Sequence, residues 1–363
     1  MIGRLLGRRD PHGVVGYRGY GTTERFLVLG RALEDEGLVR ADPAHSRWRN
    51  LREAMKRFDA DPLPHARVHA SVVGARETIE ADDEGFLHHW LPLPAPVNST
   101  GWHEVELTLD TPDDPDAIPG VAHVLVPPPS ARFGVISDID DTVLQSMVAT
   151  PLHAARLMLF ENARTRLPFP GVAAFYRALV AGGDGDEGNP IFYVSSSPWN
   201  VHDVLTEFLD AQEIPLGPLL LRDWDLGLGL ARNAGHKAAL IGEIVATYPA
   251  MSFILIGDTS QEDPEIYTRI LREHPGRILA IYIRDVGASA QRLDAVRALV
   301  AEVEQTGTSL VLAAHTLDAA RHAASQGWID AAHLAAIGEE KREAEGVEPG
   351  KADPARLIGP DQA

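Results

Sequence analysis

Short apolar runs alternate with amphipathic stretches along the second half of the chain. The runs are rich in Val, Ile, Leu and Phe, and longer stretches with apolar residues at helical spacing separate them. Because buried parallel strands are apolar along their length and are joined by helical crossovers, this alternation predicts a doubly wound α/β domain with helices on both faces of a parallel sheet. The predicted strands lie at 133–137, 191–194, 218–221, 253–257, 278–283 and 310–313.

The N-terminal part of the chain has a different pattern. Apolar and polar residues alternate in 66–72 and 102–109, and a further strand is predicted at 26–30. Loops rich in Pro, Asp and Gly separate these short segments. Alternation with frequent turns is typical of an antiparallel β-sandwich. We therefore predict a smaller β-sandwich-like domain before the α/β domain.

Changes in composition predict the domain boundaries. The run 127–129 consists of three prolines and forms a stiff spacer. Beyond residue 338 the chain becomes charged and poor in large apolar residues, which is typical of disorder. The predicted division is a β-rich domain at 1–129, an α/β domain at 130–338 and a disordered tail at 339–363.

The segment 46–58 has the pattern of a basic amphipathic helix. Ser46 is suited to cap it, and its apolar positions share one face. Such a helix can lie on a membrane surface, but its apolar stripe more often packs against its own domain, which is the expectation here. The basic residues of this segment are Arg47, Arg49, Arg52, Lys56 and Arg57.

Composition limits the partners and the compartment. The 363 residues include 33 Lys and Arg against 52 Asp and Glu, a net charge of −19 that repels nucleic acids and anionic lipid surfaces. No nucleic-acid partner is expected, and contact with a membrane would need a local basic face. The absence of Cys excludes thiolate metal sites and Cys nucleophiles. No signal peptide or window of ~18 apolar residues is found, so a cytoplasmic protein is expected.

The first strand of the α/β domain ends in an acidic pair. Asp138 and Asp140 follow its apolar run, and residues at i and i+2 of an extended chain point the same way. Both therefore project above the carboxyl edge of the sheet, where open α/β sheets bind ligands. Two acids at one point repel unless a cation or a proton lies between them. An acidic turn after a strand has the same pattern. The residues that follow the neighbouring strands must therefore show whether this pair is a functional site.

Polar groups follow the next strands as well. Ser195 and Ser196 follow the second strand, and Ser197 with Pro198 is predicted to begin a helix whose positive end would bind an anion. Lys237 is predicted at the start of a later helix. The chain has four lysines only, and an ammonium there is suited to neutralise a phosphate oxygen, although a surface lysine has the same pattern.

A fourth group follows the strand at 253–257. Asp258 comes directly after Gly257, and Asp263 faces the same pocket across the loop. Together with Asp138 and the carbonyl of Asp140, these carboxylates form an oxygen-rich site suited to Mg²⁺, which keeps waters and needs few protein ligands. No clustered His or Cys indicates zinc.

In this order, the four groups resemble the motifs of the haloacid dehalogenase superfamily of aspartyl-phosphate phosphatases. More narrowly, they resemble the actin-patch-type phosphatidate phosphatase catalytic domain, over about residues 130 to 290. The N-terminal half is similar only in outline to the β-rich domain of bacterial members. The motifs are Ser137-Asp138-Ile139-Asp140-Asp141-Thr142-Val143, Ser195-Ser196-Ser197-Pro198-Trp199-Asn200, Gly235-His236-Lys237 and Gly257-Asp258-Thr259-Ser260-Gln261-Glu262-Asp263.

The resemblance implies a haloacid-dehalogenase-like fold and a role for each site residue. Asp138 would be the nucleophile that becomes an aspartyl phosphate, Asp140 the general acid and base, and Thr142 the residue that fixes the loop. Catalysis would also need Ser195 and Lys237. The phosphoryl oxygens would be bound by Ser195, Ser196 and Lys237. The cofactor Mg²⁺ would be held by Asp138, Asp140, Asp258 and Asp263.

The spacing of the motifs bears on the substrate. Neither 143–190 nor 200–236 leaves room for a large cap, so the predicted cap is minimal and the site is open to a phosphate on a large carrier. The function implied is a Mg²⁺-dependent phosphomonoester hydrolase, with phosphatidate at a membrane surface as one substrate. Trp199 and the loop 223–230 are candidates for acyl contact, and packing and a flexible loop are the alternatives.

Three other functions fit the same sequence. The phosphatase could act on a soluble or a non-lipid macromolecular monoester. A phosphotransferase would use the same residues with an acceptor other than water. A binding protein led by the β-sandwich has no need of the acidic pair, the lysine and the second acidic loop together, which argues against it.

Overall fold

The structure is a computed structural model that describes residues 12–34, 61–72, 74–111, 114, 116–139, 171–199, 202–222 and 230–346. Several predictions from the sequence therefore fall outside the described residues. These are the basic helix at 46–58, the acid Asp140, Thr142, the loop at 223–229 and the part of the tail from 347 onward.

Two sheets form the N-terminal part. A three-stranded antiparallel sheet has the order β1-β3-β6, and a five-stranded sheet has the order β2-β8-β7-β4-β5. The strands predicted at 26–30, 66–72 and 102–109 fall on β3, β4 and β7. The strand bounds are β1 His12–Gly16, β2 Arg18–Tyr20, β3 Arg25–Glu34, β4 Arg67–Val72, β5 Ala75–Glu80, β6 Phe86–Pro92, β7 Gly101–Leu109 and β8 Gly120–Val126.

The central strand β3 is buried on both faces, and its side chains alternate between two hydrophobic cores. Phe26 and Val28 pack with the five-stranded sheet. Leu27 and Leu29, which point the opposite way in an extended chain, pack with the core of the α/β domain. The three-stranded sheet is therefore a middle layer between the five-stranded sheet and the α/β domain.

The second half of the chain forms a six-stranded sheet whose pairings are all parallel, as the apolar pattern predicts. All six predicted strands are confirmed. Almost every residue of the central strands is buried or half-buried, so both faces are covered. The strands are β9 Phe133–Asp138, β10 Ile191–Pro198, β11 Leu219–Arg222, β12 Ser252–Asp258, β13 Ile278–Arg284 and β14 Ser309–Ala313.

The strand order places a ligand site at the end of β9. The order is β11-β10-β9-β12-β13-β14, so the direction of winding reverses between β9 and β12. Open α/β sheets bind ligands at the carboxyl ends of the strands beside this reversal. The acidic pair and the second acidic loop both follow these two strands.

Helices connect and cover the strands. Among the described helices, α1 packs against α6 and α7, while α3 packs against α4 and α4 against α5. The helix bounds are α1 Val172–Ala181, α2 His202–Ala211, α3 Leu230–Thr247, α4 Asp263–Glu273, α5 Ala290–Glu304, α6 Thr316–Ser325 and α7 His333–Gly346.

Helix α7 corrects the predicted start of the disordered tail, because it continues through residues 339–346. Contacts of Glu340, in this helix, explain why residues 339–346 are helical. The Glu340 carboxylate accepts a hydrogen bond from the backbone N–H of Ala174, in the first turn of α1, at 3.0 Å and forms an ion pair with Arg177. A carboxylate at a helix N-terminus is stabilised by the unpaired amides there. Composition alone does not reveal this long-range contact.

Polar contacts join the N-terminal sheets to the α/β domain. The indole Nε1 of Trp90 donates to Glu243 on α3 at 2.8 Å, and the hydroxyl of Tyr248 donates to the carbonyl of Gly21 at 3.0 Å. Arg18 forms an ion pair with Asp210 on α2 at 3.2 Å. These bonds, with the shared apolar core, fix the β-rich part against the α/β domain. Among the helices that the structure describes, none has the length and apolar character required to cross a bilayer.

Candidate active site

Asp138 is the last residue of β9, where the strand order reverses. The preceding hydroxyl, that of Ser137, is buried and lies 2.6 Å from the hydroxyl of Tyr176 on α1. Ser137 Oγ also donates to the carbonyl of Asp138 at 3.0 Å. These bonds fix the end of the strand, so that the Asp138 carboxylate is held in place at the carboxyl edge. Its side chain is 2% exposed.

Lys237 reaches the acidic edge from the middle of α3. Its side chain is 1% exposed, and its ammonium lies 2.9 Å from Oδ1 of Asp138. The same ammonium forms an ion pair with Oδ1 of Asp263. A buried ammonium is tolerated only when it is paired, and two carboxylates meet that need. The prediction that Lys237 begins a helix is wrong, because α3 starts seven residues earlier, at Leu230, and passes through Gly235.

The second acidic loop has a fixed geometry. The backbone N–H of Asp258 donates to Oδ2 of Asp263 at 3.2 Å, while Oδ1 of Asp258 accepts from the N–H and the hydroxyl of Ser260 at 2.6 Å each. Gly257 permits this loop, because a Cβ at that position would lie 2.3 Å from Oδ2 of Asp263. Asp263 itself lies in the first turn of α4, where the helix dipole favours a negative charge.

Three carboxylates therefore meet at one point. One oxygen each from Asp138, Asp258 and Asp263 lie within 4.8 Å of one another. These three carboxyl groups outnumber the two nearby cations, the ammonium of Lys237 and the guanidinium of Arg284 at the end of β13. Anionic oxygen donors with excess negative charge fit a hard divalent cation. The predicted meeting of these residues is thus observed, and the structure adds that Lys237 bridges two of them.

The serine segment differs from its prediction. Strand β10 continues to Pro198 and α2 begins at His202, so the prediction that Ser197 and Pro198 begin a helix is wrong. The hydroxyl of Ser195 donates to that of Ser197 at 2.6 Å and accepts from the Ser197 backbone N–H at 3.0 Å. These local bonds pair polar groups of this segment without a helix. Val194 pairs with Asp138 in register, so Ser195 lies one residue beyond the acid on the neighbouring strand.

Trp199 packs inside the protein. The residue is 8% exposed, and its indole lies parallel to the ring of Tyr17, with centroids 5.6 Å apart and planes 7° apart. The imidazole of His202 stacks on the same Tyr17 ring at 3.9 Å, and Phe86 lies 6.0 Å from the indole. Of the two interpretations of Trp199, packing is therefore the one observed.

Burial and nearby acids change the acidity of two tyrosines beside the site. Burial raises the pKa of Tyr176 to about 12, and the charge of Asp138 adds to this effect, while the hydrogen bond to Ser137 opposes it. Burial also raises the pKa of Tyr267, with smaller contributions from the three carboxylates. Both phenols are therefore protonated donors at neutral pH. The hydroxyl of Tyr267 donates to the carbonyl of Ile256 at 2.9 Å and so supports the end of β12.

Sequence reasoning missed a cavity beside the acids. The cavity has a volume of about 70 Å³ and is lined in part by Asp138, Asp258, Tyr176 and Arg284. Arg284 is the last residue of β13, so the rule that located Asp138 and Asp258 at strand ends also selects it. A basic residue at a strand end is thus as much a candidate as an acid or a hydroxyl. Tyr176 and Tyr17 carry no comparable signal, because their partners are distant in the sequence.

The comparisons with known proteins agree with the geometry. The family model described as "Phosphatidate phosphatase APP1, catalytic domain" matches residues 133–285, which include Asp138, Ser195, Asp258 and Arg284. Phosphatidate phosphatase APP1 of Saccharomyces cerevisiae is 31% identical over 188 residues, which are 50% of this chain and 31% of that protein. An uncharacterized protein of Schizosaccharomyces pombe is 28% identical over 161 residues, 42% of this chain and 25% of that protein.

The similarity has limits in extent. The chain spans less than a third of the length of either yeast protein. Among solved structures, a carbohydrate acetylesterase of Xanthomonas citri covers 72% of this chain and 66% of its own, at 13% identity and a TM-score of 0.25, which is too low to indicate a shared fold. By the family model and the similarity to the Saccharomyces enzyme, residues 133–285 of this chain are similar to the phosphatidate phosphatase APP1 catalytic domain.

Proposed function

We propose that this protein is a Mg²⁺-dependent phosphoric monoester hydrolase that works through an aspartyl phosphate on Asp138. One observation carries the proposal: the buried ammonium of Lys237 joins Asp138, at the end of β9, to Asp263, beside Asp258. A nucleophile, a cation and a set of metal-binding oxygens thus meet at the switch point of the sheet. The match of residues 133–285 to a phosphatase family model supports the same function.

The proposal also assigns a fold type to each of the two domains. We assign the α/β domain to the haloacid dehalogenase type with a minimal cap, and the N-terminal sheets to a β-sandwich-like domain. The alternating burial of β4 and β7, which gives each strand one apolar face, supports the second assignment.

The first chemical step transfers the phosphoryl group to the protein. A carboxylate oxygen of Asp138 forms a bond to phosphorus while the bond from phosphorus to the ester oxygen breaks. Asp140, which lies outside the described residues, gives its proton to the departing alkoxide. The ammonium of Lys237, 2.9 Å from Oδ1 of Asp138, offsets the repulsion between this carboxylate and its two neighbours.

The second step returns the protein to its starting state. The oxygen of a water forms a bond to phosphorus, its proton passes to Asp140, and the bond between Asp138 and phosphorus breaks to release inorganic phosphate. Ser195 and Ser196 follow Val194, the register partner of Asp138, and would donate hydrogen bonds to the phosphoryl oxygens. For Ser195 this requires its hydroxyl to rotate away from Ser197.

Asp138, Asp258 and Asp263 would hold the cofactor, together with the carbonyl of Asp140. When bound, Mg²⁺ supplies positive charge that reduces the repulsion between an anionic nucleophile and an anionic phosphate. The excess negative charge of the described cluster supports this assignment.

Phosphatidate is the substrate that we propose first, because the relative from Saccharomyces carries that activity in its name. The products would be diacylglycerol and phosphate. The net charge of −19 opposes binding to an anionic membrane, so this substrate requires a local basic face and a peripheral contact from the cytoplasm. Soluble monoesters form the alternative substrate class.

A phosphate-release screen with the full chain tests the proposal. Vesicles that contain phosphatidate, together with nucleotide, sugar and peptide monoesters, are supplied with Mg²⁺ and then with a chelator. Release from phosphatidate that stops with the chelator supports the full proposal. Release from soluble monoesters only would contradict the lipid assignment, and no release from any monoester would contradict the hydrolase.

A further inference from the structure

Arg284 lies at the acidic edge without a role in the function proposed above. It ends β13 and pairs in register with Asp258, the last residue of β12. The backbone N–H of Thr259 donates to the carbonyl of Arg284 at 2.9 Å, which fixes the two strand ends together. The side chain of Arg284 lines the cavity of about 70 Å³ that Asp138 and Asp258 also line. A guanidinium thus faces the same space as the nucleophile.

Beside the proposed Mg²⁺, the side chains assigned so far offer few donors to a phosphoryl group. An ammonium has three N–H donors, and that of Lys237 contacts both Asp138 and Asp263. At most one of its donors is therefore available to the substrate. The hydroxyl of Ser195 donates to Ser197 and must rotate to reach the substrate. A phosphomonoester brings close to two negative charges and three acceptor oxygens into this position, so a further cationic side chain with several donors would complete its binding.

The guanidinium of Arg284 has the chemistry that is missing. It carries five N–H donors in a planar fork, which matches two oxygens of a phosphoryl group. Its charge reaches the inner wall of the cavity, because it lowers the pKa of Tyr176 against the larger opposing effect of burial. The rest of the wall is mostly apolar, from side chains such as Phe175 and Ile256, and this strengthens a charge-assisted bond inside it.

We propose that Arg284 is a substrate-binding residue whose guanidinium holds phosphoryl oxygens in the cavity beside Asp138. The inference rests on the proposed phosphatase function and adds a residue to its site. A purely structural arginine, which only offsets the charge of Asp258, would change the stability of the protein but not its affinity for phosphate. The two roles are therefore separable by a binding measurement.

The experiment compares Arg284→Gln and Arg284→Lys with a matched control, Arg321→Gln. Arg321 lies on α6 with its side chain 64% exposed. Binding of inorganic phosphate to the full chain with Mg²⁺ is measured by calorimetry, and inhibition of monoester hydrolysis by phosphate is measured beside it. We expect Arg284→Gln to weaken phosphate binding about 10- to 100-fold, because charge-assisted hydrogen bonds are lost. Arg284→Lys also weakens it, since a lysine cannot form the paired bonds, and the control equals the wild type.

The other outcomes distinguish failure of this inference from failure of the proposed hydrolase. Phosphate affinity equal to the wild type in both Arg284 variants would overturn it, while an active wild type would leave the hydrolase intact. If Arg284→Gln does not fold, Arg284→Lys, which keeps the charge, decides the matter. A wild type that binds phosphate through Arg284 but releases none from any monoester would overturn the hydrolase and not the binding role. A wild type that does not bind phosphate would contradict both.

Discussion

The ring of Tyr17 lies parallel to the indole of Trp199, with centroids 5.6 Å apart and planes 7° apart. Tyr17 follows β1 in the β-rich part, whereas Trp199 follows the Ser195 segment of the α/β domain. The stack therefore joins the N-terminal part directly to the segment proposed to bind phosphate. The imidazole of His202, at the start of α2, lies 3.9 Å from the Tyr17 ring and 5.6 Å from the indole of Trp199.

Replacement of Tyr17 by Ala should reduce both stability and catalysis. Loss of a buried aromatic ring costs about 3–5 kcal/mol of unfolding free energy. Because displacement of a positioning group by about 1 Å can cost 10²-fold, we expect kcat/KM to fall about 10- to 100-fold. The measurements are urea unfolding and steady-state kinetics. Tyr17→Phe keeps the ring and should retain kcat/KM, so equal losses in both variants would contradict a role of the stack.

Replacement of Lys237 by Met should abolish activity and destabilise the protein. The change leaves Asp138 and Asp263 buried without their shared cation, and removal of one partner from a buried pair costs about 3–5 kcal/mol. Urea unfolding and phosphate release measure the two effects. Added Mg²⁺ should restore part of the stability, since it offsets the same charges, but not the activity.

The control for this variant is Arg297→Met, on the exposed surface of α5 with its side chain 61% exposed. Surface substitutions usually change stability by less than about 0.5 kcal/mol. A Lys237→Met protein as stable as this control would show that the buried ion pairs do not stabilise the fold.

Mg²⁺ should stabilise the folded protein before any substrate is added. Binding to the folded state alone raises the unfolding free energy by about 2.7 kcal/mol at a metal concentration 100 times the Kd. Asp258→Asn should remove this increase, because it takes away one of the three clustered carboxylates. Asp294→Asn, an exposed acid on α5, should not. Thermal unfolding with and without a chelator measures the effect, and an increase of the same size in Asp258→Asn would exclude this metal site.

Tyr176 should make the protein less stable at alkaline pH. The unfolded tyrosine loses its proton near pH 10, whereas burial keeps the folded one protonated to about pH 12. The contribution to stability is therefore complete below pH 10 and is lost as the pH rises toward 12, with a slope of about 1.4 kcal/mol per pH unit. Urea unfolding between pH 9 and 11 should show that the unfolding free energy of Tyr176→Phe falls less steeply with pH than that of the wild type. The difference should be the slope that one proton gives. An unchanged slope would show that Tyr176 titrates alike in both states.

The sequence was sufficient for the parts of the site that follow from strand ends. Asp138 and Asp258 were predicted because an apolar run shows where a buried strand stops, and parallel strands stop at one edge. The sequence did not predict the start of α2 correctly, because the bonds between Ser195 and Ser197 compete locally with a helical cap.

Contacts between distant parts of the chain explain what the sequence could not show. Tyr17 and Trp199 have ordinary patterns for core residues, and their stack follows only from the docking of the three-stranded sheet. The double pairing of Lys237 likewise depends on how α3 crosses the sheet edge. Arg284 could have been predicted as a site residue from the sequence, since it too ends a strand. Only acids and hydroxyls at strand ends were considered.

The most direct test of the central claim is phosphate release by Asp138→Asn, with the wild type and Asp285→Asn measured beside it. The asparagine has nearly the same shape but no charge and no nucleophilic oxygen anion. Asp285 follows β13, and its carboxylate accepts bonds from the N–H groups of Gly287 and Ala288 in a turn. We predict Mg²⁺-dependent release from a phosphomonoester by the wild type and by Asp285→Asn, and none above background by Asp138→Asn. Release by Asp138→Asn at the wild-type rate would contradict the assignment of Asp138 as the nucleophile.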